Sequence, residues 1–129
     1  MKIAHHSGVS IALLDEERLT DVEAALDIIG AASCRNAFAI VADKSLVADE
    51  FFDLKTRLAG EMLQKFSTYR CRLVIFGDFS ACASKALHDF MRECNRGNLI
   101  GFAPDEPAAV RQAVVKSAPG NSAPSSLRR

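Results

Sequence analysis

The nine residues Arg72-Leu73-Val74-Ile75-Phe76-Gly77-Asp78-Phe79-Ser80 decide how this chain folds. The first five, RLVIF, form a short apolar run that stops at Gly77-Asp78 without any polar alternation. That pattern predicts a strand covered on both faces, followed by a tight turn. Ala37–Ala42 (AFAIVA) has the same character, and Leu99–Ala103 supplies a third run. Strands buried on both faces belong to parallel sheets, whose crossover connections are helices.

Helical patterns fill the intervals. Thr20-Asp21-Val22-Glu23 reads as a capping box, with the Thr20 hydroxyl at the N-cap and a carboxylate three residues on. The helix it opens runs to about Ser33 and places Val22, Ala25, Leu26 and Ile29 on one face. The next helix is the longest and ends near Ser67. Two starts fit it: Asp49 as cap with Phe51 and Phe52 in the first turn, or Asp53 as cap with Phe52 packed as a hydrophobic staple. Its buried stripe is Leu58, Ala59, Met62, Leu63 and Phe66, and Gly60 within it points to close approach of another backbone. Ser84 begins a helix with Leu87, Phe90, Met91 and Cys94 inward, stopped at Gly97. Asp105 caps the last helix, which has Pro107 in its first turn and Val110, Ala113 and Val114 inward. At the other end, Lys2–His6 and Val9–Leu14 form a hairpin around Ser7-Gly8.

The predicted order is β-β-α-β-α-β-α-β-α: one α/β domain over residues 1–115, a mostly parallel sheet flanked by helices. Residues 116–129 turn to Pro, Ser, Asn and Gly and carry too little apolar material to fold, so a disordered tail is expected. The sequence does not set the strand order.

Composition narrows the function. At 49% hydrophobic and 25% charged, the chain suits one globular core. The 16 basic and 16 acidic residues balance, but Lys116, Arg128 and Arg129 lie in the tail, so the body is mildly acidic. No nucleic-acid footprint is expected from such a surface. Neither a secretory signal nor an apolar segment of membrane-spanning length is found, so a cytoplasmic protein without membrane contact is expected. Cys34, Cys71, Cys82 and Cys94 form no Cys-x-x-Cys pair and read as reduced, mostly core thiols.

Motifs for phosphate-binding loops and dinucleotide sites are absent. Gly77-Asp78-Phe79-Ser80 puts a serine in the region of a hydrolase elbow but lacks its second glycine. His5 and His6 are adjacent on a strand and point to opposite faces, so they cannot share a metal. What remains is the carboxyl edge of the sheet, where strands end and helices begin. The candidate ligand or partner surface there comprises Asp43, Asp53, Lys55, Thr56, Asp78, Ser80 and Lys85. No catalytic group, metal ligand or cofactor is assigned among them.

Phe51–Arg70 (FFDLKTRLAGEMLQKFSTYR), Leu73–Ser80 (LVIFGDFS) and Ser84–Asn98 (SKALHDFMRECNRGN) resemble a bacterial family known as domain of unknown function 4180. The resemblance covers about residues 1–115 and brings no activity with it. More distantly, the order of elements is similar to the STAS domains, small cytoplasmic modules that bind partner proteins. Some STAS domains are controlled by phosphorylation in an Asp-Ser-Ser-Gly motif. The corresponding place here is Asp53-Leu54-Lys55-Thr56, where Asp53 matches, Lys55 stands near the place of the serine, and Thr56 is the one substitute acceptor.

Two functional readings stay open. One is a non-enzymatic interaction module of bacterial regulation, meeting an unidentified protein partner through the loop before the longest helix, the N-terminal half of that helix and the turn at Asp78–Ser80. The other is a small-ligand or metal-dependent enzyme, or a sensor, at the Asp43, Asp78, Lys85 edge. A homodimer is also compatible with a domain of this size.

Overall fold

The computed structural model describes residues 1–80 and 84–117, with side chains as far as Val115. Cys82 and the tail beyond Ser117 lie outside the described residues.

β1 (Lys2–His6) and β2 (Val9–Leu13) form the expected antiparallel hairpin, with His6 opposite Val9. Ser7 and Gly8 both have positive φ, 51° and 79°, which gives a two-residue turn the twist its strands need. β3 (Ala39–Asp43), β4 (Arg72–Phe76) and β5 (Ile100–Ala103) add in parallel, so the sheet runs β1-β2-β3-β4-β5 in chain order.

That sequential order fixes the layers. Parallel crossovers are right-handed, and strands always added on the same side send every crossover helix to the same face. α1 (Val22–Ser33), α3 (Leu58–Thr68) and α4 (Lys85–Arg96) accordingly share one core with Ile40, Ala42, Leu73, Ile75 and Phe102. Among the described residues only α5 (Glu106–Ser117) crosses the other face, where Ala109 and Ala113 meet Ile11, Ala39, Val41, Val74 and Ala103. The strict alternation of strand residues between these two cores is the period-two signature of a sheet covered on both sides. Asp105 and Ser84 cap their helices as expected, accepting from the Ala108 and Leu87 amides at 2.9 and 3.1 Å.

Four local expectations are corrected. First, α1 is capped by Asp21, which accepts from the Ala24 amide at 2.8 Å, and not by Thr20. Its neighbour Leu19 is held extended in a parallel bridge to Val47, which delays the helix until Val22. Second, neither Asp49 nor Asp53 caps the helix expected to be the longest, and at 11 residues α3 is shorter than the 12-residue α1, α4 and α5. A four-residue helix α2 (Asp49–Phe52) and a 3-10 turn over Leu54–Thr56 come before it, and Asp53 caps only that turn. Arg57, at φ 65°, then reorients the chain into α3. The break lets Phe51 drop fully into the core, 5.2 Å from the Phe52 ring and 6.5 Å from Phe102. Third, Gly60 is exposed, and a Cβ there would meet nothing within 4 Å, so no backbone approaches it. Fourth, Gly97 ends α4 at φ −87°, outside the left-handed region that a glycine stop usually occupies.

The two central glycines therefore predict opposite outcomes. Gly60→Ala should stabilise the protein by about 0.5–1 kcal/mol, the ordinary helix preference for alanine. Gly77→Ala should destabilise it by about 1–3 kcal/mol, because its φ is 153° and a Cβ would sit 2.8 Å from that of Lys44. Urea unfolding of both variants beside the unsubstituted chain checks the pair.

Candidate functional site

Three loops at the carboxyl edge are laced together. The first follows β2, where the Leu19 amide donates to the Leu46 carbonyl at 2.7 Å and Leu19 accepts from the Ala48 amide at 3.0 Å. Leu19 and Val47 are both buried, so this bridge anchors the loop into the core. The second loop follows β3, where Asp43 accepts from the Ser45 amide at 2.9 Å and starts a 3-10 turn over Lys44–Leu46. The third follows β4. Asp78 accepts there from both the amide and the hydroxyl of Ser80, at 2.9 and 2.6 Å. Aspartates placed two residues before the amide they accept from are turn formers, and Asp53 repeats the device with the Lys55 amide at 3.1 Å.

Lys44 joins the second loop to the third. Its Nζ donates to the Asp78 carbonyl at 2.9 Å and lies 5.3 Å from the centre of the Phe79 ring. Gly77 makes room for this, since its missing Cβ is where the Lys44 stem passes. Beneath, aromatic rings run from Phe51 through Phe52 and Phe79 to Phe102, with Phe52–Phe79 at 5.9 Å and Phe79–Phe102 edge-on at 5.6 Å. Such contacts add roughly 0.5–1.5 kcal/mol each beyond their area.

The three loops enclose an open cleft of about 650 Å³, with Phe52 on its wall. Asp43, Asp49, Glu50 and Asp78 line it, against the cations Arg18 and Lys44. Asp78 is held below the usual carboxylate range, chiefly by the Ser80 hydroxyl, then by the Ser80 amide, with a smaller contribution from the Lys44 charge. Across the Gly77–Phe79 wall lies a smaller hollow of about 390 Å³, lined mainly by Phe79, Met91 and Phe102 with Asn95.

The structure gathers only some of the residues singled out from sequence. Asp43 and Asp78 line the cleft together, and Ser80 joins them through its bonds to Asp78. Asp53, Lys55 and Thr56 sit on the turn after Phe52, outside the cleft lining. The Thr56 hydroxyl shares its proton between the Glu50 and Asp53 carbonyls, at 2.6 and 2.8 Å, and accepts from the Leu58 amide at 3.3 Å. Lys85 is highly exposed and pairs with Asp89 across its own helix at 3.0 Å. Sequence reasoning passed over Arg18, and it placed a partner surface on the loop before the longest helix without singling out Asp49, Glu50 or the wall residue Phe52 as site residues. The available signal was Asp49-Glu50 standing directly before two phenylalanines.

Among the described residues, no three His, Cys, Asp or Glu side chains come together as a metal site would require. Burial pushes the Cys71 thiol up to about 12, and burial with the Glu93 charge pushes Cys94 up to about 11, so neither is a ready thiolate at neutral pH. No helix among the described residues is long and apolar enough to cross a membrane.

The family model described as Domain of unknown function (DUF4180) matches residues 5–112. No curated protein and no solved structure matches the chain.

Because the Asp78 carboxyl is depressed in the fold, the stability it contributes is fully present above its ordinary unfolded value. That contribution is lost as the pH falls through the folded value. Carbon-detected NMR titration should find its midpoint below that of an exposed aspartate. Ser80→Ala should return it most of the way, since the hydroxyl is the largest cause; an unmoved midpoint would refute the assignment.

Proposed function

The chain belongs to the DUF4180 family, and from that premise we propose that it is a non-enzymatic interaction module of bacterial, cytoplasmic regulation. Its cleft docks a basic segment of a partner protein. The observation that carries this reading is the cleft lining: four carboxylates and the half-buried Phe52 ring face one open hollow, against two cations. One of those cations, Lys44, is already committed to the Asp78 carbonyl and the Phe79 ring. An open, net-acidic groove with an aromatic wall suits a peptide that brings lysine or arginine beside an apolar anchor. The STAS-like order of elements points the same way, since those modules work by binding proteins. Control by phosphorylation at Thr56 finds no support, because its hydroxyl is occupied in closing the turn.

The alternative, small-ligand or metal-dependent chemistry at the same edge, has less behind it. Asp43 and Asp78 each give an oxygen to their own turns, and Lys85 is paired elsewhere.

Selection of a displayed peptide library on the purified protein tests the proposal. Basic peptides with an aromatic or aliphatic anchor should be enriched, and their binding should weaken as salt is raised. Reversing Asp49 and Glu50 together to lysine should cost at least about tenfold in affinity, as like charges meet. Enrichment of acidic peptides, or affinity unmoved by the reversal, would sink this reading.

A further inference from the structure

Arg72 opens β4 at the amino-terminal edge of the sheet, the opposite edge from the cleft. It shares a strand face with Val74 and so lies beneath α5. The residue is 3% exposed. Its Nε, Nη1 and Nη2 are all buried, and none has a hydrogen-bond partner among the described residues. Burial lowers its pKa to about 10, which still leaves it charged at neutral pH. An unpaired buried guanidinium is among the least favourable arrangements a protein interior can hold.

The surroundings are shaped around it. Gly101 on β5 carries no Cβ, and one placed there would lie 2.9 Å from Arg72 Nη2 and collide with the Gln112 amide nitrogen. The orientation of Gln112 is not arbitrary. The Phe102 amide donates to Asn95 Oδ1 at 2.7 Å, which turns that oxygen toward β5, and Gln112 Nε2 donates to the same oxygen at 3.1 Å. Gln112 therefore brings its NH2 group, and not its carbonyl, to the space over Gly101. Two donor groups converge there, and Arg72 meets no acceptor among the described residues.

We infer that the space over Gly101, filled here by the Gln112 amide, is a concealed site for a small free oxyanion, a phosphate or a carboxylate, paired by the Arg72 guanidinium once that amide swings aside. The planar guanidinium fork matches two oxygens of such an anion. The Gln112 side chain, half-buried on α5, is what covers this space, so its rotation with local opening of the helix admits the ion. Displacing one amide side chain frees room for a few atoms and not for a polypeptide. The site is independent of the cleft and stands or falls separately from it.

Thermal unfolding of the full chain in phosphate, acetate and chloride at matched ionic strength tests the inference, together with NMR of the Arg72 Nε–H. Phosphate or acetate should raise the midpoint saturably, by roughly 5 °C at ten times Kd. The Nε–H signal should move along the same saturation curve, and whichever anion acts at the lower concentration names the class. Arg72→Met should unfold at a higher temperature than the unsubstituted chain in chloride and lose the saturable response. Equal midpoints in all three salts with an unmoved Nε–H would overturn the inference. So would an undiminished anion response in Arg72→Met, or a lower midpoint for that variant in chloride. If Arg72→Met does not fold, the Nε–H titration of the unsubstituted chain decides alone.

Discussion

Strands that add always on the same side of a growing sheet leave the connecting helices no choice of face. In this chain the rule places α1, α3 and α4 together, so that one core receives Ile28, Met62, Phe66, Leu73 and Ile75. It also removes the reversal of strand order that opens a ligand crevice in many α/β sheets. The cleft at the carboxyl edge consequently has another origin. It is built by loops that lace to each other through the Leu19–Val47 bridge and the Lys44–Asp78 contact. Among the described residues the opposite face is left to α5 alone, and that single helix closes over a charged side chain on β4 with the Gln112 amide beside it.

How much of this the sequence discloses depends on how local each decision is. The run RLVIF, the caps Ser84 and Asp105 and the Ser7-Gly8 turn are short-range signals that the structure follows closely, whereas AFAIVA becomes a strand only from Ala39 and leaves Phe38 exposed. The break between α2 and α3 is not local. Asp49 and Asp53 are equally good caps in isolation, and the choice falls to Phe51, whose burial against Phe102 requires a strand that arrives fifty residues later. Gly60 shows the converse error, since a helix glycine has two explanations, close packing or none, and only the surroundings separate them.

The candidate site was legible in the same uneven way. Asp43 and Asp78 stand at strand ends, so parity and position place them at the edge, and they do share the cleft. Lys85 stands at a helix start but points along its own helix to Asp89, because an exposed i,i+4 pair is available without any tertiary contact. Arg72 was hidden by its company. A cation at the head of an apolar run reads as a strand end reaching for water. Whether it gets there depends on which face α5 covers, and that follows from the strand order, which the sequence leaves open.

The cleft acids divide into two kinds, and the division bears on how a site of this sort can be separated from the fold that carries it. Asp43 and Asp78 each hold a turn with one oxygen while facing the cleft, so a change at either alters the loop as well as the charge. The Ser80 hydroxyl and the Lys44 charge also favour the ionised Asp78, which ties its protonation to the loop geometry. Asp49 and Glu50 lie in the single turn of α2, exposed, on a helix whose N-cap Ala48 makes no side-chain bond. Near a helix N-terminus their charges are mildly favourable, by roughly 0.3–1 kcal/mol each. That is small beside the burial of Phe51 one residue later, which fixes α2 in place whatever the first turn carries. A partner surface written on Asp49 and Glu50 can therefore vary in charge while Phe51 keeps the loop in place, whereas one written on Asp43 and Asp78 cannot.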